Sequence, residues 1–154
     1  MPITGLVHVN VNCSDYDRSL AFYARLGFRE IWRVPETNTP EVAAAVGLPP
    51  YRVKGALIAL EGAATPLVID LLEWKEPRDG SPPYPRLNHL GIARIALATN
   101  DLDGDVERLG RAGVRFLSKP ASLPAGSGSR TRFVCFEDPD GTVLELVETS
   151  AAPV

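Results

Sequence analysis

The chain has 154 residues, 45% of them hydrophobic and 23% charged, with a net charge of −3 at neutral pH. These values are ordinary for a folded soluble domain and exclude a disordered chain. The slight negative charge and the absence of any Lys/Arg run argue against nucleic acid or an anionic membrane as partner.

The opening segment alternates. Over Leu6–Asn12, Val7, Val9 and Val11 point one way and His8, Asn10 and Asn12 the other, which predicts a strand. A helix is expected next, with Ser14 as N-cap and Asp17 completing a capping-box variant. Tyr16, Leu20, Tyr23 and Leu26 form its apolar stripe, and Gly27 suits the left-handed position after its end. Three strands are expected to follow, Phe28–Val34, Arg52–Glu61 and Pro66–Trp74. They are interrupted by an insertion, Pro35–Tyr51, in which Thr39-Pro40-Glu41 reads as the start of a short helix ended by Gly47. Lys75–Leu87, rich in Pro, Gly and charge, reads as a linker.

The second half repeats the first. A shift of 86 positions lays HVNVNCSDYDRSLAFYARLGF, from His8, over RIALATNDLDGDVERLGRAGV, from Arg94, without a gap. Asp15 falls on Asp101, Asp17 on Asp103, Arg25 on Arg111 and Gly27 on Gly113. The matching elements are a strand Arg94–Thr99, a helix capped by Asn100, and strands Val114–Ser118, Thr131–Phe136 and Thr142–Glu148. The turn Glu137-Asp138-Pro139-Asp140-Gly141 joins the last two. Pro120–Ser129 reads as a flexible loop, long enough for a lid. Self-similarity at this scale marks a duplicated βαβββ unit. Module 1 spans about 5–75, the linker about 76–89 and module 2 about 90–149, all within one domain of α+β class.

Period-two geometry sorts the polar residues. In VIDLLE, Asp70 and Leu72 share one face; in VLELVE, Glu145 and Val147 do. The other faces must cover the helices, so His8, Asn10, Asn12, Asp70, Arg94 and Glu145 are expected on the faces left over. Ionisable groups there are costly unless paired, metal-bound or wet. Trp32, Tyr51, Trp74 and Phe133 are candidates for an aromatic pocket, and Arg132 for gripping an anion. His89 has the wrong parity to join Arg94. Glu73 and Glu148 are expected outside the site.

The pattern H-V-x-V-x-x-S-D-x-x-R-S-L-A-F-Y-x-x-L-G-F, with D-P-D-G-x-x-x-E-L near the end, resembles the vicinal oxygen chelate superfamily. That superfamily includes glyoxalase I, extradiol dioxygenases, methylmalonyl-CoA epimerase, and fosfomycin and bleomycin resistance proteins. The resemblance covers nearly the whole chain and implies two βαβββ modules forming a cup-shaped mixed sheet, within one chain or across a homodimer. Metal-dependent members carry a ligand on the first and last strand of each module. Here those positions are His8, Asp70, Arg94 and Glu145, and the resemblance implies that they act on a small oxygenated molecule.

Arg94 breaks the pattern, since a guanidinium has no lone pair to give. A metal-free site is therefore favoured, with Arg94 paired to Asp70 or Glu145. The alternative is one divalent ion (Zn, Ni, Mn or Fe) on His8, Asp70 and Glu145. The implied activity is glyoxalase-like lyase, isomerase or epimerase chemistry, with Asn10, Asn12, Trp32, Tyr51, Leu72 and Arg132 lining the substrate pocket. A bleomycin-resistance-like binding protein and a metal-dependent dioxygenase are the other readings. Cys13 and Cys135 lack metal-type spacing, so reduced thiols and a cytoplasmic location are expected.

Overall fold

The computed structural model describes residues 5–63, 67–124 and 129–150. The chain divides into two compact units, Met1–Ser81 and Pro82–Val154. Each holds one four-stranded mixed sheet and one ten-residue helix, and the first has a second, shorter helix. Among the described residues no helix is long and apolar enough to cross a membrane.

In the first unit the order is β1 (Val9–Asn12), α1 (Tyr16–Arg25), β2 (Phe28–Arg33), α2 (Pro40–Ala45), β3 (Arg52–Leu60) and β4 (Val68–Glu76). The sheet runs β1-β4-β3-β2, with β1 parallel to β4 and the rest antiparallel. The second unit repeats this with β5 (Ile95–Ala98), α3 (Leu102–Arg111), β6 (Ala121–Pro124), β7 (Arg130–Glu137) and β8 (Val143–Ser150), in the order β5-β8-β7-β6.

The helices begin one residue later than expected. Asp15, not Ser14, caps α1, accepting from Arg18 N at 3.0 Å. Asp101, not Asn100, caps α3, accepting from Gly104 N at 3.0 Å. A carboxylate suits the position better than a hydroxyl or amide, because it meets the positive end of the helix dipole. The insertion follows expectation: Thr39 Oγ1 accepts from Val42 N, and Gly47 takes φ 72° beyond α2.

The sixth strand lies elsewhere than Val114–Ser118. That segment contributes only a bridge from Phe116 to Phe136, and the edge strand is Ala121–Pro124, paired to β7. Part of the expected loop Pro120–Ser129 is therefore sheet, and its residues 125–128 lie outside the described residues.

Tyr16, Tyr23, Phe28, Ile58, Ile69 and Leu71 are fully buried where α1 covers the first sheet. Leu102, Leu109, Val134, Phe136 and Leu144 do the same beneath α3. Both helices are also tied down by a carboxylate from the closing strand. Buried Glu73 accepts from Tyr16 N at 3.1 Å and from Lys75 Nζ at 2.6 Å, while Glu148 accepts from Leu102 N at 3.1 Å. Tyr16 and Leu102 are the first helical residues, whose N–H groups have no partner within the helix.

Glu73→Ala should therefore cost about 2–3 kcal/mol, because it strands a buried N–H and deletes a charge-assisted bond. Chemical denaturation checks this. An unchanged midpoint would mean that water serves the N–H equally well.

Candidate functional site

Register places the polar residues of the first unit on the sheet face turned away from α1. Asn10 lies beside Asp70 on the parallel strand pair, Asp70 opposite Leu57, and Leu57 opposite Trp32. These four residues form one rung across all four strands. On the next rung Asn12 lies beside Leu72, and Leu72 opposite Gly55. A Cβ on Gly55 would come within 2.6 Å of Leu72 Cδ2 and 2.4 Å of Leu71 O, so only glycine lets Leu72 lie flat there. Trp74 donates from Nε1 to Asn12 Oδ1 at 2.8 Å, and its ring centroid lies 4.9 Å from that of Tyr51. Tyr51 also lines a cavity of about 300 Å³ with Asn38, Arg52 and Glu76. His8 is exposed and immediately precedes β1.

Trp32 reaches this face through an irregularity. Glu30 pairs with Ile58 and Trp32 with Leu57, leaving Ile31 as an extra residue. In a regular strand Glu30 and Trp32 would share a face. The bulge separates them, so that Glu30 accepts from Tyr16 Oη at 2.8 Å on the α1 side while Trp32 faces away.

Asp70 is the strained member of this face. It is half-buried, its Oδ1 is buried, and that oxygen has no hydrogen-bond partner among the described residues. Burial pushes its carboxyl above the ordinary aspartate range, and the charge of His8 and a hydrogen bond from Asn10 offset only part of the rise. Asn10 Nδ2 also donates to the Asp70 backbone carbonyl at 2.9 Å, which holds the amide beside the carboxyl.

In the second unit the matching rung is Ala96, Glu145 and Cys135. Of the two carboxylates open to it in the sequence, Arg94 bonds Glu145, donating from Nε to Oε2 at 2.9 Å. The Glu145 side chain is 9% exposed and that of Arg94 43%. The two Nη atoms of Arg94 have no hydrogen-bond partner among the described residues, and the pairing raises the guanidinium's already high pKa. Cys135, opposite Glu145, is a buried thiol whose pKa is raised chiefly by burial.

Arg132 does not reach the rung. Its guanidinium donates to Asp103 at 2.6 and 2.9 Å and to Glu148 at 3.3 Å, on the α3 side of the sheet. The first unit has the same device in Lys54, whose Nζ lies 2.5 Å from Asp17 Oδ2 and whose strand partner is Glu73. These are the duplicated supports of the helix, so Arg132 is a structural cation. His89 lies outside β5, stacked on Tyr84 at 4.5 Å. What the sequence reading missed is the isolation of Asp70 Oδ1.

The donor set departs from the metal site that the resemblance implies. Arg94 cannot ligate, and it bonds Oε2 of Glu145, another of the four positions. Among the described residues no group of three or more His, Cys, Asp and Glu is placed to hold an ion.

Comparisons with known proteins agree with this architecture. Residues 5–146 match the family model of the Glyoxalase/Bleomycin resistance protein/Dioxygenase superfamily. A Bacillus subtilis protein, the uncharacterized YwkD, is 30% identical over 149 residues, covering 96% of this chain and 99% of its own. Among solved structures, a glyoxalase family protein from Bacillus cereus is similar with a TM-score of 0.78 and 19% identity, covering 98% of this chain and 99% of its own. The fosfomycin resistance protein FosX from Listeria monocytogenes, solved with Mn(II) and sulfate, is similar with a TM-score of 0.58 and 18% identity, over 96% of this chain and 94% of its own. The chain belongs to the Glyoxalase/Bleomycin resistance protein/Dioxygenase superfamily.

Proposed function

We propose that the protein is a small-molecule enzyme catalysing isomerase- or epimerase-type proton transfer next to a carbonyl, with Arg94 in place of a divalent ion. The reading takes His8, Asp70, Arg94 and Glu145, the positions that the family resemblance implies, as the groups that act on an oxygenated substrate. The observation that carries it is the bond from Arg94 Nε to buried Glu145. That bond fixes the guanidinium while both Nη atoms stay available to an oxyanion.

The chemistry balances without a further reactant. The Asp70 carboxylate takes a proton from the carbon beside the carbonyl, and the C–H electrons form the enolate C=C bond. The carbonyl oxygen becomes negative and is held by the Arg94 Nη donors. Return of the proton to carbon, on the other face or at the neighbouring position, completes the isomerisation. A carboxyl raised by burial is the stronger base for this step. His8 stabilises the ionised form of Asp70 by its charge. Glu145 is committed to Arg94 and stays out of the proton path.

Deuterium exchange tests this. With EDTA present, the protein in D₂O should speed loss of the carbon-bound proton signals of phenylpyruvate or dihydroxyacetone. Exchange that appears only when a divalent ion is added would overturn the reading, as would no exchange under either condition.

A second reading has its own observation. Trp32 is 53% exposed on the face that carries Trp74, Tyr51 and Asp70, as a protein that sequesters a flat hydrophobic compound would need. Simple sequestration leaves the proton of Asp70 without a task, so ligand affinity in Asp70→Asn separates the two.

A further inference from the structure

We propose that Trp32 is the specificity-determining residue of this site and that the substrate carries an aromatic ring next to its oxygenated carbon. This rests on the reading of Asp70 as the group that moves the proton. Three observations combine.

The first is the bulge. Its extra residue, Ile31, turns Trp32 out of the α1 face while Glu30 keeps its bond to Tyr16. Bulges beside functional sites commonly re-aim one side chain in this way.

The second is the rung itself. Trp32, Leu57 and Asp70 follow one another across three adjacent strands. Two strand spacings are about 10 Å, so a ring lying over Leu57 meets Trp32 on one side and sets its substituent carbon beside Asp70 on the other. Leu57 is half-buried and supplies an apolar floor for that ring.

The third is the contrast between the two tryptophans. Trp74 is already engaged, by Asn12 through its N–H and by Tyr51 through its ring. Trp32 makes no hydrogen bond or ring contact among the described residues and remains 53% exposed. An indole beside a desolvated carboxyl gains most from a ligand that offers both a ring and an oxygen. A small aliphatic substrate would reach Asp70 and leave Trp32 in water. The matching rung of the second unit, Ala96, Glu145 and Cys135, offers no aromatic group.

The chain has two tryptophans, so its indole N–H region holds two resonances, which Trp32→Phe assigns. The probes are matched pairs with the same oxygenated head: phenylpyruvate with pyruvate, mandelate with lactate, and catechol with ethylene glycol. The aromatic member of at least one pair should shift the Trp32 resonance and bind about tenfold more tightly than its aliphatic partner. Trp32→Ala should abolish that preference. The proposal is overturned if no aromatic probe moves the Trp32 resonance, if both members of each pair bind equally, or if Trp32→Ala keeps the preference. Asp70→Asn separates this from the proton-transfer reading. If the aromatic preference persists while exchange is unchanged in that variant, Trp32 reads the ring as proposed and the role given to Asp70 is wrong.

Discussion

Asp70→Asn should lower proton exchange by about 10²–10⁴-fold, the usual contribution of a positioned acid–base group, while making the protein more stable at neutral pH. The two effects have one cause. Burial raises the carboxyl's pKa in the folded chain above its unfolded value. Between those two values the folded chain holds a proton that the unfolded chain has released, so stability falls as pH rises through that window. Above it the cost of a desolvated, half-partnered carboxylate is fully present. An amide does not carry that cost. The melting midpoint of the variant should exceed that of the wild type at pH 7, and the gain should shrink as pH falls to the ordinary aspartate range. A group retained at a cost to stability is characteristic of a working site. A variant that loses stability at pH 7 would show that Oδ1 has a structural partner.

Arg94→Ala should act in the opposite sense on stability and the same sense on activity. It leaves the Glu145 carboxylate, 9% exposed, with no cation. Removing one member of a fully buried pair costs several kcal/mol. Here Arg94 is 43% exposed and water screens the loss, so about 1–3 kcal/mol is expected. Exchange should fall by about 10²–10³-fold, as when one oxyanion donor is removed. Arg94→Lys should restore most of the stability and little of the rate, because an ammonium keeps the charge but cannot bond Glu145 and present a planar pair of donors together. Equal rescue of both would reduce Arg94 to a counter-ion.

Much of this was legible in the residues, because duplication shows the same decision made twice. The paired positions Asp15 and Asp101 cap the two helices, and Asp17 and Asp103 take the same kind of cation from the third strand of each module. The capping misassignment came from favouring Ser14 and Asn100 as generic caps over the aspartates that the repeat aligns. Strand parity likewise placed Asp70 and Glu145 on the faces away from the helices. Applied to β7, the same parity puts Arg132 with Val134 on the α3 side and Phe133 with Cys135 on the other. Arg132, which follows a Gly-, Ser- and Pro-rich stretch of sequence and was expected to contact a ligand, bonds Asp103 and Glu148 instead.

Other features were not readable in advance. A bulge depends on pairing with the neighbouring strand, and nothing in FREIWR announces which residue is extra. The displaced sixth strand has a similar cause. Phe116 is apolar enough to suggest a strand, yet it makes only a bridge, while Pro- and Ser-containing Ala121–Pro124 finds the edge of β7. An edge strand needs only half its backbone groups paired, so its composition is weakly constrained.

Arg94 stands at one of the four positions where the family resemblance implies a metal ligand. Calorimetric titration of Arg94→His and of the wild type with Ni²⁺ or Zn²⁺ near neutral pH tests it most directly. Imidazole supplies the lone pair that the guanidinium lacks and removes a fixed positive charge from beside Glu145. The variant should hold the ion at least about a hundredfold more tightly than anything in the wild type does, about 2.7 kcal/mol at two decades of affinity. Wild-type protein that already binds the ion as tightly as the variant would contradict it.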